Sequence, residues 1–187
     1  MKREHLLSAV KSELNASRYE HTLGVVETAV KLAKRFGADP DKADKAAILH
    51  DYSKCWTQER LRQWIVERHL GDELLEHGSP LWHSFVGAEA VRELLGIADE
   101  DILNAIRYHT SGRANMTVLE KVVCLADYIE PGRDFPGLQE VRELAEHDLN
   151  RALLRSFDNT IQLLLRNNRK LFPLTIEARN DLLDQLN

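Results

Sequence analysis

Cysteine is scarce in this sequence, with only Cys55 and Cys124 among 187 residues. Their separation matches neither a metal-binding spacing nor a disulfide framework. We therefore expect two free thiols in a reducing compartment. Any metal site in this chain would have to use ligands other than a cysteine cluster.

An excess of positive charge and a long apolar run are also missing. The net charge of −5 argues against a nucleic-acid surface or a polybasic membrane patch, because both depend on clustered Lys and Arg. A compact phosphate ligand needs only a few local cations. No segment approaches the roughly 20 apolar residues of a membrane span, and the opening "MKREHLLSAVKSELNAS" has no uninterrupted apolar stretch. We expect a cytoplasmic protein that binds neither nucleic acid nor membrane.

Apolar residues recur at helical spacing through almost the whole chain, as at Leu23, Val26 and Val30. Strict alternation of apolar and polar residues, which is typical of half-buried strands, is absent. With 187 residues and 43% apolar composition, the chain is long enough for one well-filled core. These features predict an all-α fold, a single-domain helical bundle over residues 1–187.

Helix stop and start signals divide this bundle. Gly37 ends one helix and Asp39 caps the next, and Gly96 and Asp99 repeat that arrangement. The stretch "EHGSPLWHS" predicts a break around Pro80, and "EPGRDFPG" is the strongest break in the chain. We predict a site-bearing core over residues 16–135 and packing helices over residues 136–187. An apolar face on one of the latter would support a homodimer, which periodicity does not distinguish from core packing.

Six polar residues stand beside apolar residues that should face the core. Alone, a histidine on an apolar helix face is more commonly a hydrogen-bonded core residue than a ligand. Together, six such groups on separate segments are hard to satisfy independently, because an unpaired buried charge is costly. We therefore predict that they share a metal centre: His21, His50, Asp51, His83, His109 and Asp127.

The ligand types predict the kind and number of ions. Four imidazoles and two carboxylates suit iron, manganese or zinc better than calcium or magnesium. Six ligands exceed what one catalytic ion would take while keeping a position open for water, so two bridged ions fit better. His50 and Asp51 are neighbours, whose side chains diverge by about 100° on a helix. If their helix approaches the ions end-on, His50 holds one ion and Asp51 bridges both.

The order His21, His50–Asp51, Asp127 resembles the H…HD…D pattern of the HD-domain metal-dependent phosphohydrolases, an all-helical superfamily. The stretches "RYEHTLGV", "LHDYSK", "HSFVGA", "YHTSGR" and "LADYIEPGR" are similar to those of the YqeK-type bacterial HD proteins over nearly the whole chain. This resemblance implies symmetrical hydrolysis of a nucleotide substrate, diadenosine tetraphosphate, to two ADP at a two-iron centre. It also implies a division of the ligands: His21, His50, Asp51 and Asp127 on one ion, with His83 and His109 on the second and Asp51 between them.

The hypothesis for catalysis is that metal-activated water attacks a central phosphorus of the tetraphosphate. Positioned cations would neutralise the phosphoryl oxygens. Our candidates are Lys54, one helical turn from His50, then Arg133 in the loop after Asp127, and then Arg113. Each of these cations could instead be a solvated surface charge. Thr110 and Ser111 could donate hydrogen bonds to phosphate or cap a helix end.

Several readings stay open from the sequence. A nucleotidase, a guanosine-tetraphosphate hydrolase or a cyclic-dinucleotide phosphodiesterase would use similar ligands, although the last normally carries a GYP signature that this chain lacks. A non-catalytic nucleotide or metal sensor is the alternative from a different class. Among the three tryptophans, core packing is the commoner role. Trp82 is the candidate for base stacking because it precedes His83.

Overall fold

A computed structural model describes residues 2–187, and over that range the chain forms eleven α-helices and no strand. The prediction of an all-α fold is therefore confirmed. The helices are α1 (Arg3–Glu13), α2 (Ala16–Phe36), α3 (Pro40–Leu49), α4 (Gln58–Glu67), α5 (Asp72–His77), α6 (Ser79–Leu95), α7 (Glu100–Tyr108), α8 (Val118–Ile129), α9 (Leu138–Ala145), α10 (Leu149–Arg166) and α11 (Pro173–Leu186). None of them is both long and apolar enough to cross a membrane.

The predicted helix ends lie where their capping residues place them. The Asp39 side chain accepts hydrogen bonds from two backbone N–H groups in the first turn of α3. Pro40 also lies in this turn, where its missing N–H costs no helical hydrogen bond. Asp99 caps α7 in the same way. Gly37 and Gly96 end α2 and α6 with left-handed φ angles of 80° and 68°. Local capping chemistry therefore determines these boundaries.

One predicted break lies two residues earlier than expected. α5 ends at His77 and α6 begins at Ser79, so the interruption is Gly78, with a φ of 83°. Pro80 is inside the first turn of α6, where a missing backbone N–H costs no helical hydrogen bond. The strong break at 130–137 is confirmed, because no helix covers those residues.

The core forms where α2, α3, α7 and α8 meet. α2 packs against α3 and α8, and α7 packs against α3, α6 and α8. Small side chains on α3 let its neighbours approach closely, since Ala43, Ala46 and Ala47 are fully buried. This arrangement brings the C-terminal ends of α3 and α7 to one place, beside the N-terminal part of α6 and the end of α8.

The later helices complete the bundle. α10 packs on α8, α9 and α11 and buries Leu153 and Phe157. It approaches the turn after α7 so closely that a Cβ atom at Gly112 would lie 2.6 Å from the Phe157 ring. α10 therefore lies directly beside the segment that follows His109, while Leu163 near its end is 58% exposed.

Candidate metal centre

Asp51 lies at the centre of a cluster that contains all six predicted ligands, and we call these six residues the cluster. Its Oδ2 atom lies 3.3 Å from His50 Nε2 and 3.8 Å from His21 Nε2. Its Oδ1 atom lies 3.1 Å from His83 Nε2 and 3.8 Å from His109 Nε2. Each carboxylate oxygen thus faces a different pair of imidazoles, which is the arrangement that a bridging ligand requires.

Asp127, near the end of α8, completes the His21 side of the cluster. Its Oδ1 atom lies 3.0 Å from His21 Nε2. The ligand atoms of His21, His50 and Asp127 all lie within 4.8 Å of one another, and so do those of His50, Asp51 and His109. Residues from four segments distant in the sequence therefore converge on a space about the size of a metal site.

The imidazoles are oriented by hydrogen bonds to their other nitrogens. His50 Nδ1 lies 2.7 Å from the carbonyl oxygen of Ala47, and His109 Nδ1 lies 2.7 Å from that of Ile106. A carbonyl oxygen only accepts, so the proton is on Nδ1 and the Nε2 lone pair faces Asp51. Partners of this kind are typical of metal-ligating histidines.

His21 is oriented by a residue that sequence reasoning missed. Its Nδ1 lies 3.0 Å from Oε1 of Glu130, a buried carboxylate directly after α8. Glu130 also accepts the backbone N–H of Gly132 at 2.6 Å. Gly24 makes room for it, because a Cβ atom there would lie 2.6 Å from Glu130 Oε2. The only sequence signal was the position of Glu130 within "LADYIEPGR".

The cluster fits a metal ion on the evidence of its unpaired atoms. The Nε2 atoms of His21 and His50 are buried and have no hydrogen-bond partner among residues 2–187. Both face carboxylate oxygens, which are also acceptors. Acceptors that face one another in a buried site require a cation or a proton between them. The neutral imidazole and carboxylate donor set suits iron, manganese or zinc.

Burial and mutual charge separate the cluster into groups with different pKa values. Burial, followed by the neighbouring imidazoles of His50 and His83, lowers the pKa of His109 to about 3. Burial also lowers the pKa of His83. Burial opposes ionisation of Asp51, but His50 and His83 hold the pKa of its carboxyl well below the usual value. The His83 side thus presents neutral imidazoles to a carboxylate.

Three of the predicted phosphate-binding residues lie at the cluster. Lys54 Nζ is 3.3 Å from His83 Nε2, and burial lowers the pKa of this lysine. Arg133 donates to Asp127 Oδ1 at 2.8 Å. Thr110 Oγ1 lies 3.4 Å from His83 Nε2. These contacts place two cations and one hydroxyl within reach of a ligand bound at the cluster.

Two other predicted residues are engaged elsewhere. Arg113 makes two hydrogen bonds to Glu120, at 2.8 and 2.7 Å, and Glu120 is 1% exposed. A buried carboxylate needs a paired cation, so this position favours a structural role for Arg113 over phosphate binding. Ser111 is buried and donates to the backbone oxygen of Gly112, so its hydroxyl is used within its own segment directly after α7.

Arg18 is a further residue that the sequence analysis did not single out. Its Nη1 atom donates to Asp51 Oδ2 at 3.1 Å, so the guanidinium lies against the central carboxylate. It stands three residues before His21 in the stretch "RYEHTLGV". Trp82, in contrast, is buried and donates to the carbonyl of Leu74 at 2.6 Å. Its position therefore supports packing and not base stacking.

The remaining histidines and the cysteines lie outside the cluster. His5, His69 and His147 are exposed. His77 differs, because it is half-buried with its ring centroid 5.1 Å from that of Phe172. Cys55 and Cys124 are both free thiols, as predicted.

Comparisons with known proteins agree with this geometry. The family model described as HD domain matches residues 18–132. The chain is 53% identical over 180 residues to the symmetrical bis(5'-nucleosyl)-tetraphosphatase of Bacillus subtilis (strain 168), and the aligned region covers 96% of this chain and 97% of that protein. It is 49% identical over 183 residues to the protein of the same name from Halalkalibacterium halodurans, which covers 98% of each chain. The structure also resembles that of an HD superfamily hydrolase involved in NAD metabolism from Clostridium acetobutylicum, with a TM-score of 0.94 and 42% identity over 99% of this chain and 98% of that one.

Proposed function

The chain belongs to the HD domain family, and we propose that it is an enzyme that hydrolyses diadenosine tetraphosphate symmetrically to two ADP. The observation that carries this proposal is the position of Asp51, with each of its oxygens facing a separate pair of imidazoles. The substrate follows from the name of relatives that match nearly the whole chain. The cut is at the central phosphoanhydride bond, because only that cut yields two identical products.

We propose two metal ions, with iron as the first choice and manganese or zinc as the alternatives. His21, His50, Asp127 and Asp51 Oδ2 would hold one ion, and His83, His109 and Asp51 Oδ1 would hold the other. When bound, such ions lower the pKa of water enough to supply hydroxide near neutral pH and polarise phosphoryl oxygens.

The residues of the chain have distinct tasks around this site. Glu130 keeps a proton on His21 Nδ1, so that Nε2 stays free to bind a cation. Arg133 and Lys54 supply fixed positive charge for the phosphoryl oxygens, and such preorganised charge stabilises the transition state. Thr110 offers a hydroxyl beside His83. Asp51 connects the two halves of the cluster, because each of its oxygens faces the imidazoles of one half.

Two alternative functions are less well supported by this arrangement of ligands. A sensor would not need all six ligands, and this chain has a complete set. Another nucleotide substrate would use the same ligands, but the relatives that match the whole chain are named for dinucleoside tetraphosphates. A nucleotide substrate and two free cysteines favour a cytoplasmic location, which we include in the proposal. The homodimer remains a prediction.

The test is to incubate iron-loaded, anaerobically purified protein with diadenosine tetraphosphate and to separate the products by ion-exchange chromatography. We expect ADP as the sole product. ATP with AMP would overturn the symmetrical cut. No turnover with iron, manganese or cobalt would overturn the proposed substrate and favour another phosphoester or a sensor.

A matched pair of histidine variants tests the metal assignment. His21→Ala should abolish turnover and leave the helical circular dichroism spectrum largely unchanged. His147→Ala removes an exposed imidazole and should behave like the wild type. Full activity in His21→Ala would refute the assignment of the metal ligands.

A further inference from the structure

Three cavities lie beside the cluster. One, about 530 Å³, is lined by His21 and by the carboxylates of Glu20, Glu27 and Glu130, which disfavour a phosphate chain. The other two have aromatic side chains in their walls.

The first of these two, about 500 Å³, is lined by Asp127, Tyr128, Arg133, Phe135 and Asn159 among others, and we call it the Asn159 cavity. The second, about 400 Å³, is lined by His77, Thr110, Leu164 and Phe172 among others, and we call it the Phe172 cavity. Both volumes lie within the range of small-molecule sites.

Each of these two cavities adjoins a different half of the cluster. The Asn159 cavity includes Asp127, which lies 3.0 Å from His21, and Arg133, which donates to Asp127. The Phe172 cavity includes Thr110, whose hydroxyl lies 3.4 Å from His83. Thr160 of α10 lines both cavities, so α10 forms a wall shared by the two.

We propose that the two cavities receive the two nucleoside ends of one dinucleotide, with its phosphate chain crossing the cluster between them. This inference rests on the proposed function. A symmetrical cut requires the enzyme to place the central bond, and not its neighbours, at the reacting position. Anchoring both ends of the substrate does this, because the bond midway between two fixed ends is then held at the cluster.

The Asn159 cavity has the chemistry to hold and select a base. The rings of Tyr128 and Phe135 form an aromatic wall, with centroids 5.1 Å apart. The Asn159 Nδ2 atom is buried and lacks an acceptor, although a buried donor normally has one. The N1 atom of adenine accepts a hydrogen bond, whereas N1 of guanine carries a proton, so a donor that faces this edge of the base favours adenine. We therefore assign base selection to Asn159.

The Phe172 cavity has a different character. Phe172 and His77 supply ring surfaces with centroids 5.1 Å apart, and Leu164 adds an aliphatic wall. Arg169 and Lys170 are exposed and line the same cavity, where they would attract the phosphates. None of its lining residues carries an unpaired buried donor like that of Asn159, within residues 2–187. This cavity should therefore accept either purine.

Three consecutive leucines on α10 provide a matched test. Leu163 lines the Asn159 cavity, Leu164 lines the Phe172 cavity, and Leu165 lines neither. Leu163 and Leu165 are equally exposed, at 58%. Tryptophan at positions 163 and 164 would occupy one cavity each, and Leu165→Trp controls for a bulky residue on this helix.

The primary measurement is the number of ADP molecules bound per metal-loaded chain, by isothermal titration calorimetry. We expect two for the wild type and for Leu165→Trp, and one each for Leu163→Trp and Leu164→Trp. The two blocking variants should also raise the KM for diadenosine tetraphosphate about tenfold, since each loses one stacked base. If Leu164→Trp fails to fold, Lys170→Glu replaces it, because it reverses an exposed charge of the same cavity.

The outcomes separate this inference from the proposed function. A wild-type protein that hydrolyses diadenosine tetraphosphate but binds a single ADP would overturn the two-cavity arrangement and leave the activity intact. So would normal ADP stoichiometry and KM in both blocking variants. A wild type with no turnover of diadenosine tetraphosphate would instead refute the proposed function. For Asn159→Leu, an unchanged preference for adenine over guanine substrates would contradict the assignment of base selection.

Discussion

His109 and His21, which lie in opposite halves of the cluster, are held in different ways. On the His83 side, the His109 side chain is 1% exposed, and its orientation comes from a carbonyl three residues earlier in its own chain segment. On the Asp127 side, Asp127 is 21% exposed, and His21 is oriented by Glu130, which is 109 residues away in sequence. His109 therefore depends on local backbone geometry, as His50 does on the Asp127 side, whereas His21 depends on a long-range contact.

This difference indicates where the centre is most easily disturbed. A ligand oriented by its own helix end keeps its direction as long as that helix forms. A ligand oriented by a distant carboxylate loses its direction when either segment shifts. We therefore expect changes on the Asp127 side to weaken the site without unfolding the bundle.

Asp51→Asn should have the largest effect, because Asp51 serves both halves. The amide keeps the shape but loses the charge and one of the two bridging oxygens. We expect turnover to fall by more than the roughly 100-fold that losing a supporting partner costs. The measurements are kcat/KM and metal content, with Asp134→Asn, at an exposed position, as the control. Wild-type turnover would refute the bridging role.

Glu130→Gln should disturb only the Asp127 side. The neutral amide stabilises the Nδ1–H tautomer of His21 less well than a carboxylate, so metal affinity should fall by roughly 10–100-fold. Competition with a chelator measures this, and we expect one weakened ion per chain and one unchanged. Glu143→Gln, on the exposed face of α9, is the control. Equal weakening of both ions would contradict the independence of the two halves.

Gly24→Ala is a milder version of the same disturbance. The added Cβ would lie 2.6 Å from Glu130 Oε2, so the carboxylate must move away from its place beside His21. We expect activity to fall by less than the roughly tenfold lower bound for loss of a supporting partner. Alanine favours the helix by about 1 kcal/mol over glycine, and this gain opposes the cost of moving the Glu130 carboxylate. The melting temperature should therefore change little. Leu23→Ala controls for a change on the same helix, and lost activity there would contradict this explanation.

Arg113→Met should have the smallest effect on catalysis and a clear effect on stability. It leaves the carboxylate of Glu120, which is 1% exposed, without its cation. We expect unfolding in urea to show a loss of about 3 kcal/mol, with kcat/KM unchanged. Lost activity at unchanged stability would restore the phosphate-binding role that the sequence predicts for Arg113.

The sequence alone determined the helical architecture and the membership of the cluster. Helical periodicity and helix-end signals act over a few residues, so they can be recognised from the sequence alone. The end signals are the caps Asp39 and Asp99 and the terminating glycines Gly37 and Gly96. The six cluster residues stood out for the same reason, since each is a polar group in a local apolar environment. The metal that they bind remains a prediction.

Only the tertiary structure decided which groups face one another. The contacts of Glu130 with His21, of Arg18 with Asp51 and of Arg113 with Glu120 connect segments whose relative positions follow from helix packing. From the sequence, residues 136–187 were expected to serve packing or a homodimer face, yet α10 also forms the wall of both cavities. The physical reason is that a charged side chain pairs with a group that is close in the folded structure, whatever their separation along the sequence. Local sequence shows that a buried charge needs a partner, and the packed fold determines which residue supplies it.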